Sequence, residues 1–415
     1  MADWHLWLPP ALAKPRFRLY VAGHTITVIG GWIQQVALSW LVFRLTGSSF
    51  LLGLTGFLLN IFYLLLGPVA GYAADRLPRL KLLIAIDVML AMLSVALAAM
   101  TAEAVPGVGA YLLLATLIGL CNAFEMPMRQ TLVRDIVGER ALIPSAIGVS
   151  ALVFNVGRIV GPAIAGLLLV YVSEAWCFAL NALSYAAIIW ALLAMRLPPG
   201  ERAPAALAAR GLLEGVAVLA SYPAVRYLLP TVVAIGLCAT PYVPLMPSIV
   251  ATLFDGRSST VGLLMAASGI GAVASSTYLA LQPAYGRQLR LVAVAPMAVG
   301  LLLAMLAWSR VLVASWLLLA ALGAAILIAV NTTNGLLQQS VPDAWRGRVI
   351  GVYSMAFAGT APIGGLIAGW LAEHIGLSAT LTLNGALILT AGLVGRWRLH
   401  SHPKALRGLM RSLVR

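Results

Sequence analysis

The chain has 415 residues, of which 61% are hydrophobic and only 10% charged, with a mean hydropathy of +0.97. Soluble domains carry about 25% charged residues, so a water-soluble globular fold is excluded. The net charge of +14 would suggest a nucleic-acid partner in a soluble protein. Here the basic residues lie between apolar runs, where they act as topology signals, and no nucleic-acid partner is implied.

A helix crosses the hydrocarbon layer with about 20 apolar residues. Reading apolar runs against charged or Gly/Pro-rich breaks predicts twelve spans. In chain order they are 19–43, 50–73, 81–101, 109–128, 145–170, 175–195, 227–252, 259–281, 291–308, 311–334, 349–371 and 377–395. The N-terminus lacks the apolar core and cleavage site of a secretory signal. The predicted fold class is an all-α membrane protein of twelve transmembrane helices in two pseudo-symmetric six-helix halves. The longest break, 196–226, divides an N-terminal half (1–195) from a C-terminal half with a basic tail (227–415). It contains Pro198, Pro199 and Pro204, then an Ala-rich stretch suited to a short helix on the membrane surface.

Sorting Lys and Arg by side places 23 of 27 in the even-numbered breaks and the two tails. Under the positive-inside rule both termini are cytoplasmic. That requires an even number of spans, which agrees with the hydropathy reading. Cys121, Cys177 and Cys238 all fall in apolar runs without metal-ligand spacing. They read as small buried hydrophobes, and no metal site or cofactor is implied.

An internal repeat supports the two halves. Ile147–Gly166 matches Ile350–Gly369 at an offset of 203, with eight of twenty residues identical and no gap. RQTLVRD (129–135) similarly echoes LQQSVPD (337–343) upstream. The matched segments open spans five and eleven, six spans apart, as expected of parallel repeats with a substrate site at their junction.

Three motifs carry further information. The second break reads Gly71-Tyr-Ala-Ala-Asp75-Arg76-Leu-Pro-Arg79-Leu-Lys81. It resembles the loop between helices two and three of major facilitator transporters, with Pro78 in place of a glycine. Gly71 is read as a close-contact residue, and Arg76 and Arg79 as cytoplasmic anchors. The resemblance implies that Asp75 latches this loop against the N-terminal turn of helix eleven, near Val349–Val352, where the dipole favours an anion. Span five contains Gly157, Arg158, Gly161, Pro162 and Gly166, resembling the G-x-x-x-G-P-x-x-G-G element of exporters and antiporters in the same superfamily, with Ala165 replacing one glycine. Small residues at this spacing let backbones touch. Phe124, Pro127, Arg129, Gln130, Asn155 and Arg158 together resemble the branch holding bacterial enterobactin exporters and macrolide-efflux proteins. The resemblance covers nearly the whole chain and implies the fold and export, without fixing the substrate. One departure is expected: span four, taken as 109–128, lacks the arginine that many proton-coupled relatives carry there.

Ionisable groups inside a span are costly and each needs a reason. Asp87 is read either as a structural partner or as a proton or gate group. Glu125 is expected to pair with a cytoplasmic arginine such as Arg79, with proton carriage as the other reading. His24 is a titratable candidate, or a buried histidine bonded to a neighbour. Arg158, mid-span, is read as part of a polar network or as a direct substrate contact. By the family resemblance, helices one, four, seven and ten line the cavity and offer Trp32, Gln34, Gln35, Asn122, Tyr242, Asn331, Thr332 and Asn334. This mixed aromatic and amide lining suits bulky amphipathic solutes.

The sequence therefore reads as a monomeric secondary transporter in a bacterial inner membrane, exporting small drug-like or siderophore-like molecules by alternating access, with protons as coupling partner. An importer or metabolite facilitator is the alternative within transport. A polytopic membrane enzyme is the alternative of another class, disfavoured by the lack of clustered His, Asp, Glu or Cys.

Overall fold

The computed structural model describes residues 9–103, 107–195, 223–254, 256–281 and 285–401, and among them every regular element is a helix. The surface-helix expectation for the 196–226 break falls almost wholly outside the described residues. Among the described residues the helices follow the predicted order, with two of the predicted spans, seven and eleven, each made of broken pieces. Helices one to six are Pro15–Thr46, Ser49–Arg76, Arg79–Ala102, Val108–Val137, Ile143–Tyr171 and Glu174–Ala194. Helix eight is Ser258–Leu281, nine Tyr285–Leu306, ten Leu312–Gln339 and twelve Leu377–Ser401. Helix seven is broken, running Pro223–Ala234, a π turn, a 3-10 turn and then Met246–Leu253. Its parts bend by 56°. Pro241, Pro244 and Pro247 crowd this stretch and remove backbone donors, which explains the break. Helix eleven is interrupted at Gly359, between Asp343–Ala358 and Thr360–Ile375. Ten of the described helices are long and apolar enough to cross a membrane, or eleven counting the bent pair; the apolar part of helix nine, Arg290–Leu306, is shorter.

One boundary differs with consequences. Hydropathy ends span four at Met128, but helix four continues to Val137 and is closed by Gly138 at φ +73°. Pro127 lies inside it without ending it. The charged residues after Met128 look like a loop in sequence. They are helical because Arg129 finds acidic partners in the protein interior.

The chain forms two compact units. One is Met1–Val42 with Leu58–Ala206, and the other is Phe43–Phe57 with Leu207–Arg415. Helix two is thus shared, its first turns belonging to the second unit.

Within each unit, backbones meet at glycines in matching places. In the first, a Cβ on Gly161 of helix five would strike Trp32 of helix one, and a Cβ on Gly119 of helix four would strike the Leu58 carbonyl of helix two. In the second, Gly364 of helix eleven lies on Leu237 of helix seven, and Gly323 of helix ten lies on Ser268 of helix eight. Gly161 and Gly364 are exact partners at the 203-residue offset, so the repeat seen in sequence is a repeat of helix contacts.

Helix two begins on helix eleven. Phe50 N and Ser48 Oγ both donate to Glu373 Oε2, at 3.1 and 3.0 Å. Ser49 and Ser248 share a hydrogen bond of 2.7 Å between their hydroxyls. A Cβ on Gly369 would meet the Ser49 carbonyl at 2.6 Å, so glycine is needed for this approach.

Candidate functional site

The first unit buries a charged cluster that spans helices three and four. Asp87 is 0% exposed and Arg129 7%. Arg129 Nη2 donates to Asp87 Oδ1 at 2.7 Å, and its Nε donates to Glu125 Oε1 at 2.5 Å. The Glu125–Arg129 spacing of four residues puts both on one helical face. Two carboxylates share one guanidinium, and both Asp87 Oδ2 and Arg129 Nη1 are buried without a hydrogen bond among the described residues. With all three groups ionised the cluster carries one excess negative charge, with Asp87 and Arg129 buried and the Glu125 side chain 17% exposed.

His24 and Tyr20 of helix one belong to the same region. Their rings stack with centroids 5.3 Å apart. His24 Nδ1 is buried and has no partner among the described residues, so the expected hydrogen bond to a neighbour is not formed.

This geometry corrects three sequence expectations. Glu125 pairs with Arg129, and Arg79 instead donates to both oxygens of Asp135 at 3.2 and 3.0 Å and to the Ala74 carbonyl. Helix four does hold a buried arginine. Arg129, counted with the cytoplasmic loop charges, belongs to the buried cluster. The available signal is Glu125 four residues earlier, with an otherwise unmatched Asp87 on the preceding helix.

Several predicted cavity residues also turn elsewhere. Gln34 is buried and accepts from Asn181 Nδ2 of helix six at 2.9 Å. Tyr242 is buried and hydrogen-bonds Ser268 of helix eight. Thr332 is buried, with its hydroxyl unpartnered among the described residues. Amides and hydroxyls in a sequence do not reveal which helix face they share, and Gln34 and Tyr242 serve interhelical contacts. Trp32, Gln35, Asn122 and Asn334 are partly exposed and Asn331 is exposed; Asn334 accepts from Gln338 at 3.0 Å.

The motif residues divide similarly. Gly71 faces open space, with nothing within 4 Å of an added Cβ, so it makes no close helix contact here. Arg76 lies over the Tyr72 ring at 5.4 Å. Helix two continues through Asp75, whose side chain lies outside the described set. Gly157, Gly161, Pro162 and Gly166 are buried in helix five. Arg158 is half-buried and makes no hydrogen bond or ion pair with any described residue.

Two helical units with matched glycine contacts and a charge cluster buried in one of them define a major-facilitator-type transporter. The chain belongs to the transmembrane secretion effector family, whose model matches residues 7–405. It is 24% identical to the staphyloferrin A transporter of Staphylococcus aureus, over 89% of this chain and 92% of that one. It is 29% identical to the multidrug efflux pump Tap of Mycolicibacterium fortuitum, over 88% and 91% respectively. The fold is also that of the nucleoside transporter NupG, with a TM-score of 0.73, 14% identity and coverage of 92% and 98%.

Proposed function

We propose that the chain exports small amphipathic molecules, drug-like or siderophore-like, across the bacterial inner membrane in exchange for protons. It does so as a monomer, by alternating access of two halves. Relatives named for a siderophore and for multidrug efflux support the substrate range. The observation that carries proton coupling is the Asp87–Arg129–Glu125 cluster. Its two carboxylates outnumber its one cation, so a single proton neutralises it. Losing that proton restores a buried charge, a change large enough to bias a conformational equilibrium.

Everted membrane vesicles energised to acidify their interior test this reading. They are expected to accumulate an amphipathic dye, and nigericin, by collapsing the pH gradient, is expected to stop the accumulation. Asp87→Asn removes one carboxylate and keeps the polar shape. It is expected to abolish gradient-driven accumulation while leaving dye exchange at equilibrium. Accumulation indifferent to nigericin would remove the proton. Net movement in the opposite direction would make the protein an importer.

The topology belongs to the same reading. The distribution of basic residues supports cytoplasmic termini. Reporter fusions at Met1 and Arg415 are expected to be active only as cytoplasmic reporters. An external terminus would overturn the even number of spans.

A further inference from the structure

We infer that Arg158 is the anion-binding end of a substrate site on the first unit, and that the transported solute is an anionic amphipath with a flat apolar body, such as an aromatic carboxylate. The inference rests on the transport reading above and names its substrate class.

Helix five has two kinds of exposed face. Leu152, Val156, Leu167 and Val170 form one, exposed along the whole helix and entirely apolar, as a lipid-facing stripe must be. Ile147, Ala151, Phe154 and Arg158 share a second face, since they recur at helical spacing. Ile147 and Phe154 are 55% and 53% exposed and Ala151 is exposed. Beyond Arg158 this face closes, because Gly161, Pro162 and Ala165 are buried. A face that opens along half a helix and ends at an arginine is the wall of a recess. Lipid contact for a guanidinium at this depth, about 22 Å from Ile143 at 1.5 Å per residue, would be costly.

The floor beside Arg158 is aromatic. Trp32 of helix one meets Phe154 with ring centroids 6.0 Å apart and planes at 62°. Gly157 and Gly161 create this arrangement. A Cβ on Gly157 would meet Trp32 Cδ1 at 3.3 Å, and one on Gly161 would meet its Cγ at 3.4 Å and overlap its Cβ. The glycines let the indole lie directly on the helix-five backbone, one turn from the arginine. Asp87 and Glu125 pair with Arg129, and Arg158 makes no ion pair with them or with any other described residue. A planar fork of donors beside two aromatic rings recognises a carboxylate or sulfonate carried on a flat ring system.

Fluorescein and rhodamine 6G share a xanthene ring system and differ in charge. Their binding to the purified full chain in nanodiscs, followed by fluorescence anisotropy without any pH gradient, tests the inference. Fluorescein is expected to bind more tightly than rhodamine 6G. Arg158→Gln is expected to weaken fluorescein binding by about 10- to 100-fold, the range for a charged hydrogen bond, and to leave rhodamine 6G no weaker. Arg158→Lys keeps the charge without the fork and should fall between. No fluorescein binding by the wild type, tighter rhodamine binding, unchanged fluorescein affinity in Arg158→Gln, or equal loss of both dyes would each overturn the assignment. A protein that binds fluorescein this way but shows no gradient-driven transport would retain the site and lose the proton-exchange reading.

Discussion

Arg129→Met is expected to leave almost no folded protein in the membrane. The substitution keeps the length and apolar stem of the side chain and removes its charge. Asp87, wholly buried, then loses its cation, as does Glu125. Removing one partner of a buried ion pair costs about 3–5 kcal/mol, and here one arginine serves two acids. Such a loss is a large share of the 5–15 kcal/mol that typically separates folded from unfolded states. The compensating test is the triple variant Arg129→Met, Asp87→Asn, Glu125→Gln, which removes all three charges together. It is expected to recover monodisperse protein in detergent, yet to remain inert to a pH gradient. A single Arg129→Met variant that melts like the wild type would show that the cluster contributes little to folding.

Gly271→Ala combined with Gly323→Ala is expected to give the largest purely steric loss. Helices eight and ten touch backbone to backbone at these residues. A Cβ on Gly271 would overlap the Ala320 carbonyl and sit 3.0 Å from Ala320 Cα, and one on Gly323 would sit 3.1 Å from Ser268 Cα. The opposing atoms are main chain, so no rotamer change relieves the clash and the helices must separate. Overpacking typically costs about 1–3 kcal/mol per site, and separation also forfeits dispersion contacts along the interface, which hold helices together in lipid. The double variant is expected to lower the melting temperature of the purified protein sharply. Gly351→Ala supplies the control, since an added Cβ there meets nothing within 4 Å and alanine favours helix by about 1 kcal/mol. Similar melting of the double variant and the control would place the helices farther apart than described.

The membrane class, the order of the helices and the repeat were legible because each depends on local composition. A span must be apolar whatever it packs against. Glycine spacing at Gly157 and Gly161 likewise announces a close helix contact before its partner is known. Helix ends were less legible where a charge had a reason to be buried. Arg129 illustrates this: hydropathy treats every arginine as a loop residue, and only an acid on another helix reverses that judgement.

The amino-acid sequence was enough to show that this chain belongs in a membrane and that Ile147–Gly166 and Ile350–Gly369 match. Those features follow from periodicity and from the cost of polar groups in hydrocarbon. Tertiary structure alone decided that Asp87, Glu125 and Arg129 form one cluster, that Gln34 and Tyr242 serve helix contacts, and that Trp32 lies on Gly157 and Gly161. These pairings join residues far apart in the chain. Which helix faces meet is set by the packing of several helices at once, and no single helix's sequence carries that information.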